Sequence, residues 1–203
     1  MPPTATVIEI DTPHGPARAH LTKVRGATGA VVLGHGAGGG VGAPDLVIAA
    51  EVAQAQKLSV ALVEQPYRVA GRRSPAPAAQ LDAAWIAVLE HLKAKALKGL
   101  PLVCGGRSAG ARVACRTSTE TGAVGVLCLA FPLHPPGRPE ATRQDELDAV
   151  TVPVLVVQGA SDPFGMPPPG PSRSVVTVKG NHSLRSDRDA IRIAVRDWLS
   201  EVL

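Results

Sequence analysis

A serine stands at the centre of the short motif Gly106-Arg107-Ser108-Ala109-Gly110. The motif has the pattern G-x-S-x-G and falls between an apolar run typical of a strand and a run typical of a helix. In that setting the pattern predicts a sharp, strained turn that exposes the hydroxyl, because the small flanking residues let strand and helix pass close together. A serine hydroxyl becomes a useful nucleophile only when a base removes its proton. Ser108 is therefore a candidate nucleophile that requires a base.

A candidate acid and a candidate base follow in the order that such a serine needs. Asp162 comes directly after the apolar run PVLVVQG, and His182 comes directly after SVVTVKG. Both are expected at the same edge of a parallel sheet as Ser108, with His182 as general base and Asp162 orienting it. Alternatively, Asp162 could cap a turn and His182 could begin a helix. Three other acids do not directly follow a predicted strand and are weaker candidates: Asp145, Asp148 and Asp187.

A glycine-rich run, GHGAGGG at residues 34–40, follows another apolar run. Loops of this type donate a backbone N–H to the negative oxygen that forms when a carbonyl is attacked. We expect the N–H groups of Ala37 and Ala109 to form this oxyanion hole, with Gly36 as the alternative to Ala37. His35 is expected to brace the loop by hydrogen bonding rather than to act as a base.

The same glycine run allows a different reading. Gly34, Gly36 and Gly39 also fit G-x-G-x-x-G, and Glu64 ends the next predicted strand, as in a dinucleotide-binding unit. Glycines continue past the motif to Pro44, however, so no helix opens inside it to meet a pyrophosphate. This reading also leaves the later serine, aspartate and histidine unexplained, so we predict neither an organic cofactor nor a metal ion.

The elements that must position these residues follow from hydrophobic patterning. Segments 6–10 and 17–22 alternate around a turn and predict an antiparallel hairpin. Apolar runs then alternate with helical patterns, which predicts a single α/β domain over residues 1–203, mostly parallel, with helices on both faces. The predicted strands are 30–34, 59–64, 100–105, 123–130, 152–158 and 174–179, and the predicted helices are 44–57, 78–98, 109–119, a short one from 142, and 184–202. About twenty residues separate the strands ending at 130 and beginning at 152, which leaves no room for a large lid domain.

Composition argues against several other classes. The net charge is +4, aromatic residues make up 2% of the chain, and basic residues are scattered, so a nucleic-acid-binding surface is not expected. No apolar stretch is long enough to cross a membrane, and residues 1–13 lack the pattern of a signal peptide. The chain has three cysteines, Cys104, Cys115 and Cys128, and none of them is in a C-x-x-C motif. This odd number without that spacing predicts neither disulfide bonds nor a zinc site, and it favours a location in the reducing cytoplasm.

Basic side chains on two loops suggest that the substrate carries a negative charge. Segments 65–77 and 131–143 follow strands at the predicted active edge, and an arginine can hold a carboxylate or phosphate with two parallel hydrogen bonds. We therefore expect a small acyl substrate with an anionic group, while the oligomeric state stays open. Alternatively, the arginines point to solvent or pair with Glu64 and Glu140. The candidate substrate contacts are His35, Arg68, Arg72, Arg107 and Arg138.

Several stretches together resemble small α/β-hydrolases related to dienelactone hydrolase, and most closely a subgroup known as testis-expressed-protein-like or KANL3-like hydrolases. The stretches are GHGAGGG, GGRSAGARVA, FPLHPPGRPE, QGASDPFG and GNHSL, which span residues 34–184. Dienelactone hydrolases proper carry cysteine where this chain has Ser108. The resemblance therefore implies an α/β-hydrolase fold and hydrolysis of an ester or related acyl bond through an acyl-enzyme. The alternative is a catalytically silent scaffold or interaction subunit of the same fold.

Overall fold

A computed structural model describes residues 5–203, and residues 1–4 lie outside the description. The expectation that no signal peptide is present rests partly on those four residues. The strands are β1 (Thr6–Ile10), β2 (Ala17–Thr22), β3 (Ala30–Gly34), β4 (Ser59–Glu64), β5 (Leu102–Arg107), β6 (Gly125–Leu129), β7 (Val154–Gly159) and β8 (Arg173–Val178). The helices are α1 (Pro44–Ala55), α2 (Pro66–Val69), α3 (Ala78–Ala94), α4 (Ala109–Arg116), α5 (Ser118–Thr121), α6 (Gln144–Asp148) and α7 (Arg188–Val202).

The eight strands form one sheet in the order β1-β2-β4-β3-β5-β6-β7-β8. The hairpin β1–β2 is antiparallel, and β2 also pairs antiparallel with β4. The six strands β3 to β8 all run parallel to one another, which confirms the predicted sheet. Because their carboxyl ends share one edge, the residues that follow β5, β7 and β8 are brought to the same side of the molecule.

Helices cover both faces of this sheet. On one face, strand residues such as Val32 and Cys104 pack with α3 and α4 around the fully buried Trp85. On the other face, Val31 and Val103 pack with α1 and α7. Both faces of the central strands are therefore buried, which is why these strands appear in the sequence as continuous apolar runs rather than alternating ones.

Several helix boundaries differ from the predicted ones. Helix α3 ends at Ala94 rather than at residue 98, and the chain then turns through Gly99, where φ is 79°. Helix α7 begins at Arg188 rather than at Leu184. Leu184 is fully buried but has φ 48°, so it contributes to the core from a turn. Its apolar side chain matches the helical period although its backbone is not helical, which explains the error.

The connections at the carboxyl edge of the sheet are short. Segment 65–77, predicted to be a loop, contains the one-turn helix α2. Between β6 and β7 the structure places only the five-residue helix α6 and its flanking loops, in agreement with the expected absence of a large lid. Within residues 5–203, no helix combines the length and the apolar character needed to cross a membrane.

Candidate active site

Ser108 occupies a tight turn between β5 and α4. Its backbone has φ 52° and ψ −109°, a conformation that is strained for a residue with a side chain. Its N–H donates to the carbonyl of Leu129 on the neighbouring strand over 2.9 Å. A β-carbon placed on Gly106 or Gly110 would overlap the carbonyl oxygen of Gly34. The turn therefore needs glycine at both positions, and this steric requirement explains the two glycines of the G-x-S-x-G pattern.

The structure brings Ser108, His182 and Asp162 together in one hydrogen-bonded chain. His182 Nε2 lies 3.0 Å from Ser108 Oγ, and His182 Nδ1 lies 2.8 Å from Asp162 Oδ2. A carboxylate can only accept, so Nδ1 carries the proton and Nε2 accepts from the serine hydroxyl. The Asp162 side chain is fully buried, whereas that of His182 is 18% exposed. The hydroxyl and the imidazole therefore face the open edge of the sheet, and the carboxylate lies behind them.

Two residues that the sequence analysis missed hold the acid. Asp162 Oδ1 accepts the backbone N–H of Phe164, and Oδ2 accepts a side-chain N–H of Gln158, each over 2.9 Å. The Phe164 ring also packs edge-on against the His182 imidazole, with 4.6 Å between ring centroids. Gln158 is fully buried at the end of the run VLVVQ. A polar residue inside an apolar strand was the signal that could have identified it.

The predicted oxyanion donors have free N–H groups. Neither Ala37 nor Ala109 donates its backbone N–H to an acceptor within residues 5–203. Ala109 is the first residue of α4, where an N–H has no partner inside the helix. The Ala37 carbonyl accepts the hydroxyl of Tyr67 over 3.0 Å, which anchors the glycine loop from α2. Gly36 lies in the same loop, so the choice between its N–H and that of Ala37 stays a prediction.

His35 braces this loop from within. It is 2% exposed, its Nδ1–H donates to the Gly36 carbonyl over 2.8 Å, and its Nε2 accepts the N–H of Gln65 over 3.1 Å. Burial lowers the pKa of His35, so the ring stays neutral in this arrangement. Because both ring nitrogens are occupied, the expectation that His35 contacts substrate is corrected: its role is to hold the loop.

Arg107 also lies differently from the expectation that it contacts substrate. Its Nε lies 2.9 Å from Oδ2 of Asp45, and its Nη2 donates to the His182 carbonyl over 2.8 Å. The guanidinium is thus engaged by protein groups. The helix that follows the glycine loop begins only at Pro44, and the buried carboxylate of Asp45 occupies its first turn. That placement is unfavourable for a pyrophosphate and argues against the dinucleotide-binding alternative.

Of the other candidate substrate contacts, Arg72 and Arg138 are exposed and Arg68 is partly exposed. Arg72 is exposed and lines a cleft of about 100 Å³ beside the β1–β2 turn, and Arg138 is exposed on the loop after β6. Arg68 donates to the Arg72 carbonyl over 3.2 Å. None of them pairs with Glu64, whose Oε2 lies 2.8 Å from His20 Nε2. These arginines are placed to meet solvent or an incoming anion.

The cysteines are packed on one face of the sheet, in the core beneath α3 and α4. Cys104, Cys115 and Cys128 are all buried and free. Burial raises the pKa of Cys104 to about 12. The hydrogen bond with Cys115, together with burial, raises the pKa of Cys128 well above its usual range. Among residues 5–203, no three His, Cys, Asp or Glu side chains cluster as metal ligands would.

Solved structures with the same architecture come from several bacteria. A dienelactone hydrolase from Anabaena variabilis superposes with a TM-score of 0.79 at 18% identity over all of both chains. An alpha-beta serine hydrolase homologue from Coxiella burnetii gives 0.77 at 15% identity, covering 97% of this chain and 98% of that one. A serine hydrolase without lid from Xanthomonas campestris gives 0.74 at 19%, covering 98% and 96%. These similarities establish the α/β-hydrolase fold.

The sequence itself gives the family. Residues 27–189 match the family described as "Alpha/beta hydrolase domain". The chain belongs to this family, and the matched segment contains Ser108, Asp162 and His182. The predicted α/β-hydrolase relationship is thereby confirmed, while the finer testis-expressed-protein-like subgroup stays a prediction.

Proposed function

We propose that the protein is a carboxylesterase-like serine hydrolase that cleaves an ester or related acyl bond through an acyl-enzyme. The observation that carries this proposal is the unbroken hydrogen-bonded chain from Ser108 through His182 to Asp162. A serine on a strained turn, a base within reach of its hydroxyl and a buried acid behind the base are the parts that acyl transfer needs. All three lie at the edge where this fold binds ligands.

In the first half of the reaction, His182 Nε2 takes the Ser108 proton as Oγ attacks the carbonyl carbon. Asp162 keeps the imidazole oriented and stabilises its cation. The carbonyl oxygen of the substrate becomes negative and accepts hydrogen bonds from the backbone N–H groups of Ala37 and Ala109. Each such donor is worth about 10²–10³ in rate. The tetrahedral species collapses as the leaving group takes the proton from His182, which leaves the acyl group on Ser108.

In the second half, a water molecule replaces the leaving group. His182 takes a proton from the water as the water oxygen attacks the acyl carbon. His182 then gives that proton to Ser108 Oγ, which leaves the acyl carbon as the free hydroxyl. The products are an acid and an alcohol or equivalent leaving group, and each turnover consumes one water molecule. Because the connections above the site are short, both substrate and water have direct access to Ser108.

For the substrate, we propose a small acyl compound that carries an anionic group. Arg72 and Arg138 are exposed on loops that rise from the carboxyl edge of the sheet. Guanidinium groups there can attract a carboxylate or phosphate and orient it towards the serine. This refines the expected set of substrate contacts, because His35 and Arg107 are occupied inside the protein.

A fluorophosphonate probe tests the proposal, since it reacts with an activated serine. The wild type is expected to be labelled, and Ser108→Ala is expected to lose both labelling and hydrolysis of an activated short-chain ester while keeping its melting temperature. Ser161→Ala is the matched control, because Ser161 is exposed on the loop that carries Asp162. Absence of labelling in the folded wild type would instead support the scaffold alternative.

A further inference from the structure

Asp45 is a buried carboxylate with few partners. It lies in the first turn of α1, and its side chain has no exposed surface. Its Oδ1 accepts the N–H of Leu46 over 3.0 Å, and its Oδ2 lies 2.9 Å from Arg107 Nε, although this N–H is poorly aligned with the oxygen. Burial raises the pKa of Asp45, and the Arg107 charge opposes that rise. A buried ion pair of this kind gives little net stability compared with apolar packing.

The other end of the Arg107 guanidinium reaches the predicted base. Nη2 donates to the His182 carbonyl over 2.8 Å, and the side chain is 18% exposed. Nη1 lies against the glycine loop, since a β-carbon added to Gly36 would stand 3.0 Å from it. The planar guanidinium group of Arg107 therefore has three neighbours: Asp45 at the start of α1, the backbone of His182, and the glycine loop at Gly36. The same residue directly precedes Ser108.

We infer that Arg107, held by Asp45, is a positioning residue that fixes the His182 segment relative to Ser108. This inference rests on the proposed function for its catalytic consequence. Arginine suits the task because its donors point in fixed, diverging directions, so Nε and Nη2 can engage two partners at once. Lysine carries a single ammonium on a flexible chain and cannot span the same two acceptors.

The expected effect falls on turnover. Without the Nη2 contact, the His182 segment is free to shift, and a displacement of about 1 Å near reacting groups costs on the order of 10²-fold in rate. We expect Arg107→Lys and Arg107→Ala to lower kcat by roughly 10- to 100-fold while KM changes less than about 3-fold. Removal of a direct substrate contact would instead raise KM.

The experiment compares these variants with Arg116→Ala. Arg116 is the matched control because it is 19% exposed, pairs with Asp82 at 2.6 Å and lies at the opposite end of α4 from Arg107. Ester hydrolysis gives kcat and KM, and the fluorophosphonate labelling rate reports the reactivity of Ser108. Millimolar guanidinium added to Arg107→Ala is expected to restore part of the rate, whereas equal urea is not. Arg107→Lys keeps a positive charge beside Asp45 and serves if Arg107→Ala does not fold.

Amide hydrogen exchange of residues 179–186 gives a reading that does not depend on activity. Exchange in this segment is expected to rise in both Arg107 variants and to stay at the wild-type level in Arg116→Ala. If the wild type is neither labelled nor active, the proposed function fails and the exchange measurement alone decides the positioning role. Wild-type exchange in folded Arg107→Lys, or wild-type kcat with raised KM, overturns the inference.

Discussion

Gln158 offers a direct test of how the predicted acid is held. Its Nε2 lies 2.9 Å from Asp162 Oδ2, 3.0 Å from the Phe131 carbonyl and 2.9 Å from the Gly165 carbonyl. All three neighbours are acceptors, so the NH₂ end of the amide must face them. The opposite oxygen, Oε1, is buried without a hydrogen-bond partner among the described residues. The side chain is therefore a two-proton donor shared among three buried oxygens.

Replacing Gln158 with leucine keeps the volume and removes both donors. Each buried acceptor that loses its donor costs about 1–3 kcal/mol, and removal of the unpartnered Oε1 returns part of this. We expect the free energy of unfolding to fall by about 2–4 kcal/mol. At about 2–4 °C per kcal/mol for a chain of this size, the melting temperature falls by roughly 5–15 °C. We expect kcat to fall about 10-fold, because the N–H of Phe164 is then the one donor besides His182 that still holds Asp162.

Thermal melting and ester hydrolysis measure both effects. Gln56→Leu is the matched control, because Gln56 Nε2 also bridges to a distant carbonyl, that of Arg196 over 2.9 Å, but does so at the surface. It is expected to change stability by less than about 1 kcal/mol and to leave kcat unchanged. A Gln158→Leu variant that melts and turns over like the wild type would refute the idea that this amide holds the acid.

Three further predictions concern pH, thiols and substrate charge. Because the folded pKa of His35 is lowered, the unfolded chain binds its proton first, so stability falls as pH drops below about 6.5. Urea unfolding at about pH 7.5 and about pH 5.5 should show a smaller difference in His35→Gln, and an equal difference would contradict this. Cys104 and Cys128 should resist iodoacetamide until denaturant is added, and rapid native alkylation with loss of activity would oppose their burial. A carboxylate-bearing ester should be preferred over its neutral analogue at low salt but less at high salt, and Arg72→Gln with Arg138→Gln should raise KM for the charged ester alone. Equal use of both esters at every salt concentration would remove the proposed anion preference.

The sequence predicted the sheet because its central strands are buried on both faces and therefore appear as apolar runs. It also predicted that Ser108, Asp162 and His182 share one edge, because each directly follows such a run. It did not predict Gln158 or Phe164 behind the acid, since periodicity does not reveal the direction of a single side chain. For the same reason, Arg107 was expected to face substrate although its guanidinium points inward.

Helix ends were predicted less well than strands for a related reason. Leu184 is apolar and in helical register with α7, yet its positive φ excludes it from the helix. The unpredicted helix α2 begins at Pro66, which is a favourable first helical residue but was read as a loop signal.

The tight packing around the serine turn affects how relatives of this chain should be compared. Gly106 and Gly110 exclude any side chain because the Gly34 carbonyl occupies the space, and this steric requirement is independent of the hydroxyl between them. A descendant that exchanged Ser108 for another residue would still need both glycines to fold. Retained glycines therefore indicate only that the tight turn is kept, and the serine, histidine and aspartate are the residues that bear on whether an activity is kept.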